Sequence, residues 1–152
     1  MIIRRGVSED AGRALEIWRA AVDTTHRFLS SQDRAELDEL VAGFLPEARM
    51  WVADEAGQVL AFLIIDNSMI EALFVDPAVH GRGVGTALLH HALSLAPDAK
   101  VDANEQATNA LSFYESRGFV CIGRSETDQQ GRPYPLVHLR YAGSAVVNGL
   151  SE

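Results

Sequence analysis

At 152 residues the chain has the length of one domain, and 47% hydrophobic residues suffice to close a core. Its formal net charge of -8, from 13 basic and 21 acidic residues with no basic block, excludes function through a nucleic-acid or anionic-membrane surface. The same balance mildly favours a cationic partner such as an amine. The single cysteine, Cys121, rules out an internal disulfide and suits a reducing, cytoplasmic compartment. It lies in the apolar run Phe119-Val120-Cys121-Ile122, where a buried, unreactive thiol is expected. Met1-Ile2-Ile3 runs straight into Arg4-Arg5, with no signal peptide, and no apolar run reaches the ~20 residues of a membrane span.

Met1 to Arg5 reads as a short first strand. Ser8 is placed to cap a helix starting at Glu9, whose apolar face is Ala14, Ile17, Trp18, Ala21 and Val22. Thr24-Thr25-His26 breaks that pattern. A second helix follows over Ser31 to Leu45, with Leu37, Leu40, Val41 and Phe44 expected inward and Pro46 as its stop. Met50 to Ala53 and Val59 to Ile65 form a hairpin through Asp54-Glu55-Ala56-Gly57-Gln58. A strand over Met69 to Val75 leads into a glycine-rich turn and an amphipathic helix, Val84 to Leu95, ended by Pro97. A strand at Lys100 to Asn104, a helix at Ala107 to Arg117 stopped by Gly118, and strands at Phe119 to Arg124 and Tyr134 to Tyr141 complete the order. Antiparallel neighbours come first and a parallel crossover follows at the glycine turn, which is the pattern of a mixed α+β sheet.

The glycine turn carries the chemistry. In His80-Gly81-Arg82-Gly83-Val84-Gly85-Thr86, glycines let the backbone approach a bulky anion, and the first amides of the following helix are unpaired at its positive end. A phosphorylated cofactor is therefore the first expectation. A P-loop needs a lysine beside the turn, and the only lysine is Lys100. A dinucleotide fingerprint needs a third glycine where Thr86 or Leu88 stands, and it would not follow several antiparallel strands, although Asp102 lies at a suitable distance for a ribose-binding acid. The five histidines and the cysteine have no metal-ligand spacing, so no metal is expected. His90 and His91 are assigned to the outer face of their helix. Trp51, Phe28, Tyr134 and His138 are placed either to line an acceptor pocket or simply to pack.

Gly81-Arg82-Gly83-Val84-Gly85, preceded by Ala72-Leu73-Phe74-Val75-Asp76-Pro77, resembles the acyl-CoA motif of the GNAT superfamily of N-acetyltransferases. A second block, Asn104-Glu105-Gln106 followed by Ala110-Leu111-Ser112-Phe113-Tyr114-Glu115-Ser116-Arg117-Gly118-Phe119, is similar to the family's in order and spacing. Thr25-His26, Phe28-Leu29, Phe44 to Ala48 and Gly131 to Leu136 resemble the bacterial YjaB-type branch. Two departures stand out: His80 replaces the usual Gln or Arg, and Ala107 stands where the family often has Asn, with Asn109 beside Ala110 instead.

The resemblance implies a GNAT-like domain over residues 1–142, with a central, mostly antiparallel sheet of about seven strands flanked by about four helices, and a loose tail over 143–152. It implies direct acetyl transfer from acetyl-CoA to a primary amine in a ternary complex. The acceptor is a small molecule, a peptide amino terminus or a lysine, and the protein a monomer or homodimer. A coenzyme-A-binding module with little catalysis is the rival reading. Coenzyme contacts are expected from the edge Leu73, Phe74 and Val75, from His80, Gly81, Arg82, Gly83, Val84, Gly85 and Thr86, and from Asn104, Asn109, Ser112 and Tyr114. Tyr114 stands at the family's general-acid position, and a phenol with pKa near ~10 keeps its proton at neutral pH. The base is Glu71, a lone charge in an apolar strand run, or His26, whose titration range suits proton transfer, or a water chain.

Overall fold

The nine-residue strand Gln58–Asp66 is apolar almost throughout, and Val59 through Ile64 are all buried. A strand reads as a continuous apolar run when both of its faces are covered. In the computed structural model, which describes residues 1–143, this strand is β3, inside a seven-stranded sheet. The other strands are β1 (Ile2–Arg5), β2 (Trp51–Glu55), β4 (Met69–Val75), β5 (Lys100–Asn104), β6 (Phe119–Ser125) and β7 (Leu136–Tyr141). The helices are α1 (Ala11–Thr25), α2 (Ser31–Phe44), α3 (Val84–Leu95) and α4 (Thr108–Glu115). The tail expected over 143–152 lies, Gly143 apart, outside the described residues. Among the described residues no helix is long and apolar enough to cross a membrane.

The strand order is β1-β2-β3-β4-β5-β7-β6, and every adjacent pair is antiparallel except β4 and β5. A doubly wound dinucleotide-binding sheet is thereby excluded, because it is mostly parallel. One face carries α1, whose Ala14, Ile17, Trp18 and Val22 meet Val52, Phe62 and Ile64, with Ala72 and Phe74 against them. The other carries α3 and α4, whose Val84, Leu88, Leu89, Ala92 and Tyr114 meet Ala53, Ala61, Leu63, Val101 and Leu139.

The parallel ladder between β4 and β5 is two pairs long, Met69 with Lys100 and Ile70 with Val101. Beyond it the strands part. The cause lies in β4: Ile70 pairs with Ile65 and Ala72 with Ile64, so Glu71 is left as the extra residue of a bulge. Such an insertion bends and overtwists its strand and re-aims the extra side chain.

Several local expectations are corrected. Ser8 does not cap α1: Ser8–Asp10 is a 3-10 turn, Ser8 Oγ donates to Glu9, and Asp10 Oδ2 accepts the Val7 amide at 2.8 Å. The Asp10 carboxyl is held below the usual carboxylate range, first by the Arg4 guanidinium. α2 ends at Phe44, and Pro46 sits in a 3-10 turn after it. None of its residues is fully buried, and Leu40 and Phe44 are 53% and 46% exposed rather than inward. α2 is tethered by ion pairs of Arg34 with Asp23 and Asp38, and of Arg19 with Asp38; its Leu37 and Val41 are half-buried against the α1 cluster and also line a cavity. Cys121 is exposed, because β6 is an edge strand with an irregularity between Cys121 and Gly123. His90 is exposed, but His91 turns in against Trp51, ring centroids 4.2 Å apart, where burial lowers its pKa.

Candidate active site

The gap between β4 and β5 is a cleft of about 120 Å³. Glu71 to Phe74 line one side, Val101 to Asn104 the other, with Ala110, Tyr114 and His26 completing the wall. At the C-terminal end of β4 the glycine turn opens a second cavity of about 340 Å³, lined by His80, Gly81, Gly83 to Thr86, Val75, Phe113 and Arg117. Gly81 and Gly83 have φ of +84° and +79°, a region costly for any residue with a Cβ. Gly85 is needed for a different reason: a Cβ there would stand 3.3 Å from Val75 Cγ2 and 3.4 Å from Phe113 Cε1, so α3 could not lie so close to β4. Among the described residues, the amides of Gly81 through Thr86 donate to no protein group. Unpaired amides at the positive end of α3 fit a diphosphate.

Two arginines flank this cavity. Arg82, expected to face the coenzyme, instead makes two 2.9 Å hydrogen bonds to the Glu55 carboxylate at the β2–β3 turn. Arg117, which sequence reasoning missed, lines the cavity. It donates to Thr86 Oγ1 at 2.9 Å and to the Phe113 carbonyl at 3.0 Å, and lies 4.0 Å over the Phe113 ring. Its signal was the one basic residue in the Tyr114-to-Phe119 block, four positions after Phe113. Asn104 faces the cleft, whereas Asn109 and Ser112 sit exposed on α4 and line none of the described cavities.

Tyr114 is 6% exposed and packs edge-on against Phe113 and Phe119 at 5.1 and 5.2 Å. Burial pushes its phenol above the ordinary value, so it stays protonated through the neutral range. Its ring borders the cleft.

His26 closes α1, and the Thr25 hydroxyl lies 2.7 Å from its Nδ1. That hydroxyl gives its proton to the Ala21 carbonyl at 2.8 Å. It therefore accepts from His26, which places the imidazole proton on Nδ1 and leaves Nε2 with a free lone pair. Burial lowers the His26 pKa from its ordinary value. Glu71 is exposed to the cleft through the bulge, not buried in the sheet.

A third cavity, of about 280 Å³, opens from the cleft between α1, α2 and the sheet, and shares His26, Glu71, Ala72, Phe74 and Asn104 with it. Tyr134 lines it; Phe28 stacks behind it on His26 and Tyr134 at 5.2 and 5.9 Å. Trp51 lies elsewhere, beneath Arg5 and against His91. His138 joins three strands beside the cleft, with Nδ1 2.6 Å from Asp102 Oδ1 and Nε2 2.6 Å from Ser125 Oγ. Asp102 is on the cleft wall; Ser125 lines none of the described cavities.

Residues 17–135 match the family described as "Acetyltransferase (GNAT) domain". The chain is 48% identical over 140 residues to "Peptidyl-lysine N-acetyltransferase YjaB" of Salmonella typhimurium, covering 91% of this chain and 97% of that one. It is 47% identical over 143 residues to the protein of the same name from Escherichia coli, covering 93% and 97%. The solution structure of apo-form YjaB from Escherichia coli has a TM-score of 0.89 at 46% identity, over 94% of this chain and 99% of that one. A more distant likeness of fold, TM-score 0.64 at 20% identity over 92% of each chain, is to yncA from Salmonella typhimurium with its cofactor acetyl-CoA. With these likenesses added to the split sheet and its glycine turn, the chain belongs to the GNAT family of acetyl-CoA-dependent N-acetyltransferases.

Proposed function

We propose that residues 1–142 act as one domain that moves the acetyl group of acetyl-CoA directly to the side-chain amine of lysine in peptides. One observation carries this reading: the β4–β5 cleft has a protonated phenol and an unprotonated imidazole on its wall, and the unpaired amides of the glycine turn follow directly along β4, past Phe74 and Val75. The relatives named above as peptidyl-lysine acetyltransferases support the choice of acceptor. The amides of Gly81 to Thr86 hold the pyrophosphate, with Arg117 supplying positive charge beside them. The parted edge Leu73 to Val75 offers main-chain groups to the amide-like pantetheine arm, and an N–H on that edge polarises the thioester carbonyl.

The lysine enters as ammonium, since its pKa lies near ~10.4. Glu71 attracts it, and His26 Nε2 takes its proton. The amine lone pair then attacks the carbonyl carbon, the nitrogen gives up its second proton to water in the cleft, and the C–S bond breaks from the tetrahedral intermediate. The departing thiolate takes the Tyr114 proton, and solvent restores it. No acyl-enzyme is needed, and Cys121, exposed on β6, lines none of the described cavities.

Tyr114→Phe tests the assignment. Losing a general acid costs ~10²–10⁴-fold in rate. The expected result is such a fall in kcat with acetyl-CoA affinity retained. An unchanged kcat removes Tyr114 from the chemistry.

A further inference from the structure

The cavity beneath α2 is more than the reaction requires. Attack on a thioester needs room for an amine and an acetyl group, and the cleft beside Tyr114 supplies it. The adjoining space of about 280 Å³ is walled by Trp18, Val22, Leu29, Leu37, Val41 and Phe62. It lies just below the ~300–1,000 Å³ of pockets that hold whole drug-sized ligands, which suits one large side chain. Its only ionisable carboxylates are Glu71 and Asp128, and no lysine or arginine lines it. An apolar wall with Glu71 at the cleft end and Asp128 elsewhere on the lining suits an apolar group carried beside a cation, and disfavours a neighbouring anion.

α2 strengthens the argument. It contributes no fully buried residue, yet turns Leu37, Val41 and Phe44 toward this space. Leu37 and Val41 are already half-buried against the α1 cluster, and their remaining exposed apolar surface is covered only when something enters the cavity. The occupant reaches the space through the cleft, because His26, Glu71, Ala72, Phe74 and Asn104 belong to both.

We propose that this cavity receives a large apolar side chain, aromatic or branched aliphatic, adjacent to the acceptor lysine, so that the enzyme prefers lysines next to such residues and discriminates against acidic neighbours. The inference rests on the peptidyl-lysine reading above and adds the sequence context that reading leaves open.

The test is a set of short peptides with one lysine, flanked on either side in turn by Phe, Leu, Ala or Asp, assayed for kcat/KM with acetyl-CoA. Burying a Phe or Leu side chain predicts a preference over Ala on the order of tenfold or more on one of the two sides. The Asp peptide is expected to be slowest. Val41→Phe, which fills the cavity, is expected to bring the Phe-to-Ala ratio near one. Leu37→Ala, which enlarges it, is expected to extend the preference to Trp. Circular dichroism confirms that each variant is folded. Equal kcat/KM across all the peptides overturns the inference and leaves lysine acetylation standing. Faster acetylation of phenethylamine than of any peptide overturns the peptide occupant. Acetylation of none of them, with acetyl-CoA still bound, overturns the underlying reading and this inference with it.

Discussion

Replacing His26 by Gln isolates the deprotonation step. The Thr25 hydroxyl, committed to the Ala21 carbonyl, fixes the imidazole proton on Nδ1 and frees Nε2. Partial burial disfavours the imidazolium, so His26 titrates below its ordinary 6.5. At pH 7.5 the base is therefore in its working form, and the acid limb of kcat/KM belongs below ~6.5. Gln keeps the approximate volume and polarity but cannot accept the proton. A positioned base contributes ~10²–10⁴-fold, and water in a partly open cleft replaces some of that, so a loss near ~10² is expected at pH 7.5, or ~2.7 kcal/mol in the barrier. The assay is kcat/KM for a lysine peptide from pH 5.5 to 9, with acetyl-CoA affinity measured in parallel. The variant should lose rate, retain affinity and lose the lowest acid limb. Stability supplies an independent sign. A histidine whose folded pKa is lowered binds its proton more readily when unfolded, so stability is full above ~6.5 and falls as pH drops through the folded value. His26→Gln should unfold less readily in acid, relative to neutral pH, than the parent does. An unshifted pH–rate profile with undiminished rate refutes the assignment and returns the role to Glu71 or a water chain.

Arg117→Ala is expected to raise the Kd for acetyl-CoA with a smaller effect on kcat, and with the loss steepest at low salt, as isothermal titration at two ionic strengths would record. Glu55→Gln releases Arg82 from its two 2.9 Å hydrogen bonds and should tighten acetyl-CoA binding; weaker or unchanged binding means that Arg82 does not reach the phosphates. Gly85→Ala drives a Cβ toward Val75 and Phe113, costing ~1–3 kcal/mol of overpacking against ~1 kcal/mol gained in helix propensity, so the melting temperature should stay level or fall and the KM for acetyl-CoA should rise. Phe62, 1% exposed between the helix layers, should cost ~3–5 kcal/mol on truncation to Ala, visible as a depressed Tm.

The sequence was most legible where local and tertiary demands agree. The spans Met69–Val75, Val84–Leu95 and Lys100–Asn104 are found as read, because proline, glycine and apolar period mark the same limits. Tyr114 and the glycine turn each line a cavity. What stayed hidden depends on neighbours that periodicity does not encode. The apolar face of α2 is real, but no pattern reveals that it overlooks a cavity. Cys121 sits in an apolar run, yet β6 is an edge strand, so apolar neighbours do not bury it. Glu71 stands out as a charge in a strand, but its access to the cleft comes from a one-residue misalignment with β3. The Thr25–His26 and Asp102–His138–Ser125 hydrogen bonds, like the diversion of Arg82 to Glu55, are geometry that no spacing announces.

Two rungs are all that fasten β4 to β5, so the middle of the sheet has a pair of inward-facing rims as well as its outer margins. Peptide groups along such rims lack strand partners, which makes them sites of solvent entry and of fraying. A coenzyme arm lying along β4 would act as a missing stave, joining the two halves mechanically as well as delivering the acetyl group. Saturation with acetyl-CoA or CoA should then slow amide hydrogen exchange on both β4 and β5, far beyond the residues that touch the phosphates, and couple cosubstrate supply to the lifetime of the folded protein.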